Sequence, residues 1–323
     1  MSFNPIIIIG GEPQSIFLEI LLKALKKKLR HNHKPIILIS SKDLLKKNMK
    51  KFKNRLKYNE LDKNFSNINN KRLNFFNINY KKFKFSKRKI TSDSNQYIKS
   101  SFEKALEVIR KKNCSGMING PISKKTFLGG KFNGITEYLA KKTNSRDPVM
   151  LIYNKSLSVC PLTTHVPISK VSRNIKKKDI IVKVNKINNF FKNVLKRKPK
   201  IAITGLNPHC ESFDNENKEI KEIIPAINKL KKDKVDIKGP YAADTIFIKE
   251  NLKKFDVIFG MYHDQVLGPI KTLYGFNAIN ITLGLPFIRI SPDHGPNVSM
   301  LGKNKSNPNS LIESIRFFEK YGI

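Results

Sequence analysis

A run of four isoleucines ends in two glycines close to the start of the chain (PIIIIGG, residues 5–11). A continuous β-branched run of this kind predicts a strand that is buried on both faces, and the glycines predict its end. Residues 15–29 then place apolar side chains at helical spacing and finish with a basic turn, and KPIILIS (34–40) predicts a second buried strand. Because strand, helix and strand follow in this order, the sequence favours an α/β fold with a parallel sheet.

The rest of the chain repeats this plan over a length of 323 residues, which suits one large α/β domain or two lobes. Residues 97–112 predict an amphipathic helix, residues 178–196 a polar helix, and the closing stretch a helix that Ser310 would cap. Residues 42–96 are rich in Lys and Asn with interleaved aromatic residues. They favour short strands and loops, and the alternative is a basic aromatic surface that binds single-stranded nucleic acid.

The formal net charge is +38, which by itself points to nucleic acid or a membrane surface. Lys, Asn and Ile are abundant together and Trp is absent, a composition typical of AT-rich coding sequence. The basic residues are also spread over the whole chain, so nucleic acid is disfavoured as the main partner. The charge should still attract anionic, phosphorylated ligands.

Three cysteines, Cys114, Cys160 and Cys210, show no CxxC spacing, which fits a reducing compartment. No apolar run is long enough to span a membrane, and the apolar start has no basic segment before it of the kind that a signal peptide carries. The sequence therefore predicts a cytoplasmic protein.

Four of the six histidines lie near predicted strand ends: His165 in PLTTHVPIS, His209 in GLNPHC, His263 in MYHDQ and His294 in SPDHGPN. In open α/β sheets, ligands gather at the carboxyl ends of the strands. Neutral imidazole is a common ligand of zinc and similar ions, and three histidines can hold a metal while leaving a position open for substrate. The pattern favours a metal site and a set of ordinary surface histidines about equally.

Charged residues accompany these histidines. Asp264 adjoins His263, and Asp244 lies in GPYAADTIF, where it could handle a proton or simply stabilise a turn. A possible anion clamp follows His263, and Arg289 is its most informative member because a charge within LPFIRIS needs a partner. The chain has neither GxGxxG after its first strand nor GxxxxGK[ST], so an ordinary Rossmann site and a P-loop are both unsupported. The clamp candidates are Lys271, Asn280 and Arg289.

An ordered set of motifs resembles the 4-hydroxythreonine-4-phosphate dehydrogenase family of pyridoxal phosphate biosynthesis. The set comprises NGPISK (119–124), GITEYLA (134–140), TTHVPIS (163–169), GLNPHC (205–210), GPYAADTIF (239–247), MYHDQVLGPIK (261–271) and NITLGLPFIRISPDHG (280–295).

The resemblance implies an isocitrate-dehydrogenase-like, two-lobed α/β/α fold, a homodimer, and a divalent metal (Zn, Mg or Co) at the subunit interface. The implied reaction is NAD- or NADP-dependent oxidation of the C3 hydroxyl of 4-phosphohydroxy-L-threonine, followed by loss of the carboxylate as carbon dioxide. Asp264 and Asp244 are the candidate proton handlers. The implied metal ligands are His165, His209 and His263, one of them from the partner subunit; the substrate contacts are Thr136, Lys271, Asn280 and Arg289; the cofactor contacts are Asp293, His294 and Gly295.

The chain departs from the family pattern at three places. Ile135 stands where the family has a substrate-contacting histidine, GEPQSIFLE (11–19) lacks the usual glycines of the first loop, and HGPN (294–297) replaces HGTA. Isoleucine cannot donate a hydrogen bond, so a substrate contact is lost at that position. Three alternatives therefore stay open: a paralogue that oxidises another phosphorylated 3-hydroxy acid, a protein that keeps the fold and metal without turnover, and a basic nucleic-acid-binding protein.

Overall fold

The β-branched runs form strands in a computed structural model that describes residues 4–28, 34–111, 113–132, 134–211, 217–292 and 294–322. The chain divides into a first unit, residues 1–145 with 285–323, and a second unit, residues 146–284. The first unit is thus built from both ends of the sequence, and the second from one continuous stretch.

The first unit carries a parallel sheet with the strand order β3-β4-β2-β1-β5-β12. The isoleucines of β1 are fully buried, as the sequence predicts for a central strand. Its elements are β1 (Ile6–Ile9), α1 (Phe17–Lys28), β2 (Ile36–Ser40), α2 (Lys42–Lys51), β3 (Tyr58–Glu60), β4 (Leu73–Asn77), α3 (Asn95–Lys111), β5 (Gly116–Asn119), α4 (Ile135–Lys142), β12 (Arg289–Pro292) and α9 (Asn309–Tyr321).

The second unit has the strand order β11-β6-β7-β10-β8-β9. Strands β7, β10, β8 and β9 run parallel, whereas β6 is antiparallel to both of its neighbours, β11 and β7. Its elements are β6 (Val149–Tyr153), β7 (Ser158–Thr163), α5 (Lys177–Asn193), β8 (Ile201–Thr204), α6 (Ile224–Lys232), β9 (Ile237–Tyr241), α7 (Lys249–Leu252), β10 (Val257–Tyr262), α8 (His263–Tyr274) and β11 (Ile279–Leu283). The predicted α/β class with a largely parallel sheet is confirmed.

Two local predictions need correction. Residues 42–51 form helix α2 rather than a short strand or loop, because Ser41 Oγ caps the helix and Leu44 and Leu45 bury one of its faces. Ser310 does not cap α9: it lies inside the helix, and Pro308 occupies the cap position. Within the described ranges, no helix is both long enough and apolar enough to cross a membrane.

Candidate functional site

Three predicted metal ligands follow three neighbouring parallel strands of the second unit. His165 comes two residues after β7, His263 begins α8 directly after β10, and His209 lies in the loop after β8. Strand β10 lies between β7 and β8, and Tyr262 at its end pairs with Thr163 at the end of β7. The loops that carry the three histidines therefore all start at the carboxyl ends of adjacent strands, where α/β proteins bind their ligands.

His263 is oriented by the carboxylate next to it. The Nδ1 atom of His263 lies 2.6 Å from Oδ1 of Asp264, and the Asp264 side chain is 89% exposed. A histidine whose Nδ1 atom is bonded to a carboxylate presents its Nε2 atom to a ligand, an arrangement common among metal-binding histidines. The contact with Asp264 therefore leaves Nε2 as the nitrogen that a metal would use.

The loop that carries His209 is fixed at its base by a buried carboxylate. Glu219 is 1% exposed, and its Oε1 atom accepts hydrogen bonds from the backbone N–H groups of Leu206 (2.7 Å) and Asn207 (2.8 Å). Its Oε2 atom accepts a further bond from the Asn207 side chain at 2.9 Å. His209 itself is exposed and adopts a left-handed backbone conformation with φ 56°. The sequence pattern did not identify Glu219, because its role depends on a contact across the loop.

Asp244 is exposed and follows β9, the strand next to β8. Its charge affects Cys210, the residue after His209. Burial is the main cause that raises the pKa of the Cys210 thiol, and the negative charges of Glu219 and Asp244 raise it further. Asp244 thus lies close to the His209 loop, as a proton handler for that site would need to.

The side chains at these strand ends suit a divalent metal. The histidines offer imidazole nitrogens, and the Asp264 carboxylate fixes the ring orientation of His263. Within the described part of a single chain, however, no group of three or more His, Cys, Asp or Glu side chains could hold a metal ion. The predicted ligand set of His165, His209 and His263 therefore remains a prediction.

Two predicted substrate contacts also belong to the second unit. Lys271 is exposed on α8, and Asn280 lies half-buried on β11. The Oδ1 atom of Asn280 is buried and, among the described residues, has no hydrogen-bond partner. Because an unsatisfied buried acceptor is costly, a donor from a ligand or from water is expected there.

In the first unit, Arg289 is buried and joined to two other residues of the unit. Its side chain is 2% exposed; Nε donates to Oδ1 of Asn119 at 2.7 Å, and Nη1 donates to Oγ1 of Thr136 at 3.3 Å. Burial lowers the pKa of the guanidinium to about 10, while the Glu137 carboxylate opposes this shift. The structure thus brings together Thr136 and Arg289, the two substrate contacts predicted in this unit, and adds Asn119, whose role the sequence did not reveal.

The predicted cofactor segment follows β12. Asp293 lies outside the described residues, and Gly295 is exposed. The His294 ring stacks on Phe17 with a centroid distance of 6.1 Å, and Ile16 N donates to the Pro296 carbonyl at 3.1 Å. The segment therefore packs against the start of α1, and its contact with a cofactor stays a prediction.

These features are those of an α/β enzyme: polar groups lie at the carboxyl ends of parallel strands, and the buried Arg289 guanidinium is positioned by its neighbours. The family model described as "Pyridoxal phosphate biosynthetic protein PdxA" matches residues 31–318, and the chain belongs to this family. The predicted family is confirmed.

Relatives and solved structures agree with this assignment. The chain is 38% identical over 312 residues to a 4-hydroxythreonine-4-phosphate dehydrogenase of Sulfurihydrogenibium sp. (strain YO3AOP1), covering 94% of each chain. It is 34% identical over 322 residues to the enzyme of that name from Wigglesworthia glossinidia brevipalpis, covering 97% of this chain and 95% of the other. A structure titled as a putative enzyme of this kind from Salmonella typhimurium superposes with a TM-score of 0.84 at 27% identity, covering 98% and 99% of the two chains.

Proposed function

We propose that this dehydrogenase oxidises the C3 hydroxyl of 4-phosphohydroxy-L-threonine with NAD in pyridoxal phosphate biosynthesis, assisted by a divalent metal. The observation that carries the proposal is the placement of His165, His263 and His209 after three adjacent parallel strands. The family and the names of its relatives support the substrate. The net charge of +38 suits an anionic substrate, and a cytoplasmic location is part of the proposal.

In this proposal the three histidines hold the metal, and one of them comes from a second copy of the chain. A bound divalent ion lowers the pKa of a hydroxyl and stabilises negative charge that develops on oxygen. Exposed apolar residues lie near two of the histidine loops: Ile168 is 72% exposed and Ile220 is 66% exposed. In the proposed homodimer these side chains would lie in the contact between the two copies, where their apolar surface is removed from water.

The remaining roles fall to side chains of this chain. Arg289 and Lys271 would hold the phosphate or carboxylate of the substrate, because a guanidinium and an ammonium both bind such anions. Thr136 and Asn280 would fix its orientation through hydrogen bonds. Asp264 or Asp244 would accept the hydroxyl proton, since both carboxylates are exposed beside a histidine loop. NAD would accept the hydride and bind near Asp293, His294 and Gly295.

The experiment follows NADH absorbance after addition of 4-phosphohydroxy-L-threonine, with and without a chelator. Wild-type protein should produce NADH, the chelator should stop it, and His209→Ala should abolish it. Asp233→Ala is the matched control and should leave the rate unchanged. The exposed Asp233 follows α6 and precedes β9, so it lies at the amino ends of the strands, away from the histidines.

A His209→Ala variant with normal turnover would show that the metal assignment is wrong. Turnover of a related four-carbon acid phosphate, without turnover of 4-phosphohydroxy-L-threonine, would instead identify the chain as a paralogue. Ile135 is the feature that favours this second candidate, since it replaces a polar substrate contact of the family.

A further inference from the structure

The strand ends that precede the histidine loops are joined by a buried glutamine. Gln265 is 8% exposed and lies in the first turn of α8, two residues after His263. Its Oε1 atom accepts hydrogen bonds from Met261 N at 2.7 Å and from Thr204 Oγ1 at 2.9 Å. Its Nε2 atom donates to the Gly205 carbonyl at 2.8 Å. A single amide thus contacts the end of β10, the end of β8 and the base of the His209 loop.

This link begins where the pairing of the two strands ends. In the described residues the register of β10 and β8 runs as far as Phe259 and Ile203. Beyond that pair, Gln265 continues the connection through its side chain. Gly260 provides the space, because a Cβ atom there would lie 2.4 Å from Val266 Cγ1 and 3.0 Å from Gln265 Oε1.

The amide group is suited to this task in a way that other side chains of its size are not. It must accept from Met261 and Thr204 on one side and donate to Gly205 on the other. A glutamate at neutral pH could only accept, and a methionine of similar volume has no donor and only a weak sulfur acceptor. Burying a polar side chain is costly unless its hydrogen bonds are made, and here both ends of the amide are satisfied.

We propose that Gln265 is a positioning residue that fixes the His263 and His209 loops, each of which supplies a ligand for the proposed divalent metal. This inference rests on the proposed function, because it assumes that both imidazoles are metal ligands. Thr163 extends the same network, since its hydroxyl donates to the Met261 carbonyl at 2.9 Å and joins the end of β7 to that of β10. In this role Gln265 acts through the backbone that carries the two histidines.

The test is a calorimetric titration of the full-length protein with zinc chloride alone, which requires neither substrate nor turnover. Gln265→Met removes all three hydrogen bonds at nearly constant volume, and Gln265→Glu keeps the acceptor atoms but loses the donor to Gly205. Both variants should bind zinc more weakly than wild type, on the order of tenfold or more, as expected when an outer contact of a metal ligand is removed. Circular dichroism verifies the fold of each variant before titration.

Asp256→Ala is the matched control. Asp256 joins the same two strands at their opposite ends, since its Oδ2 atom accepts from Lys200 N at 2.8 Å. This variant should lose stability but keep wild-type zinc affinity. The inference is wrong if a folded Gln265 variant binds zinc as wild type does, or if Asp256→Ala weakens zinc binding equally. If wild-type protein binds no zinc, the proposed metal site fails first, and the role of Gln265 fails with it.

Discussion

At the scale of single residues, the main departure from the family pattern is a partly buried side chain that packs against the core. Ile135 begins α4 and contacts a buried apolar cluster that includes Tyr138 and Leu139. Thr136, the next residue, is bonded to Arg289. The isoleucine therefore has a packing role beside a predicted substrate contact, and this role explains how it can stand where the family has a histidine.

We expect Ile135→His to raise kcat/KM for 4-phosphohydroxy-L-threonine, by about tenfold if one hydrogen bond of ordinary strength is regained. The same change should lower the free energy of unfolding by roughly 1–2 kcal/mol, because aliphatic contacts with the cluster are lost. Steady-state kinetics and urea unfolding measure the two effects. A fall in kcat/KM with this substrate, and not with other phosphorylated hydroxy acids, would favour the paralogue.

A second residue-scale feature is the buried carboxyl group of Glu12. The residue is 1% exposed; Ser94 Oγ donates to its Oε1 atom at 2.8 Å, and its Oε2 atom has no partner among the described residues. Burial is the largest cause that raises the pKa of Glu12 from 4.5 to about 6, against hydrogen bonds from Ser94, Gln14 and Ser123 that lower it.

Because the pKa of Glu12 is raised, the folded protein keeps this proton up to a higher pH than the unfolded chain does. The contribution of Glu12 to stability should therefore fall as pH rises from about 4.5 to 6 and then stay level. Glu12→Gln should remove this fall and add about 2 kcal/mol to the free energy of unfolding at pH 7, since one pKa unit corresponds to about 1.4 kcal/mol. Denaturant unfolding at a series of pH values measures the effect.

Glu107→Gln is the control for this prediction. Hydrogen bonds within the salt bridges to Lys104 and Lys111 lower the pKa of Glu107. Replacing Glu107 should therefore not increase the free energy of unfolding at pH 7. If Glu12→Gln is no more stable than wild type above pH 6, the Glu12 carboxylate is better solvated than its burial indicates.

At the scale of elements, the sequence predicted what depends on local pattern. The isoleucine run of β1, the βαβ opening and the strands before the histidines all follow from β-branched runs and helical spacing. Helix α2 escaped prediction because lysines dominate its composition, and its capping by Ser41 is a weak local signal. Asn119, Glu219 and Gln265 could not be given roles, since each acts through contacts that only the tertiary structure creates.

An element-scale prediction concerns the loop at residues 205–210. Glu219→Ala should lower the free energy of unfolding by about 3 kcal/mol, because it removes hydrogen bonds to a buried charged group. It should also speed hydrogen exchange at the amides of Leu206 and Asn207, which donate to Glu219. Mass spectrometry of exchanged peptides measures this change.

Glu222→Ala is the control for the loop. Glu222 lies three residues later and accepts from the backbone of Lys177 instead, so its loss should leave exchange in the loop unchanged. Slow exchange at Leu206 and Asn207 in Glu219→Ala would show that the strand end holds the loop without the carboxylate.

At the scale of the whole molecule, self-association can be tested through the exposed apolar residues. Ile220→Glu should shift the protein towards monomer, because a buried charge opposes an apolar contact. Phe276→Glu is the control: Phe276 is 51% exposed but follows the end of α8, on the side of the sheet away from the histidine loops. Sedimentation velocity distinguishes the outcomes. An Ile220→Glu variant that associates as wild type does would place any interface elsewhere.

The net charge of +38 provides a second whole-molecule prediction. Many basic side chains of residues 42–96 lie at the surface, yet several are already engaged, such as Lys42 with Glu60 and Lys87 with Asp93. We expect no tight binding of single-stranded RNA or DNA at physiological salt, measured by fluorescence anisotropy. Tight binding with a steep salt dependence, lost when these lysines are neutralised, would revive the nucleic-acid hypothesis.

The split of the first unit between the two ends of the sequence has a consequence for biosynthesis. Residues 146–284 leave the ribosome as an uninterrupted stretch, whereas the first unit still lacks β12 and α9 at that moment. Because domains fold as units while the nascent chain emerges, the histidine-bearing unit can become native first. The guanidinium of Arg289 can enter the interior of its own unit only after the whole second unit has been synthesised.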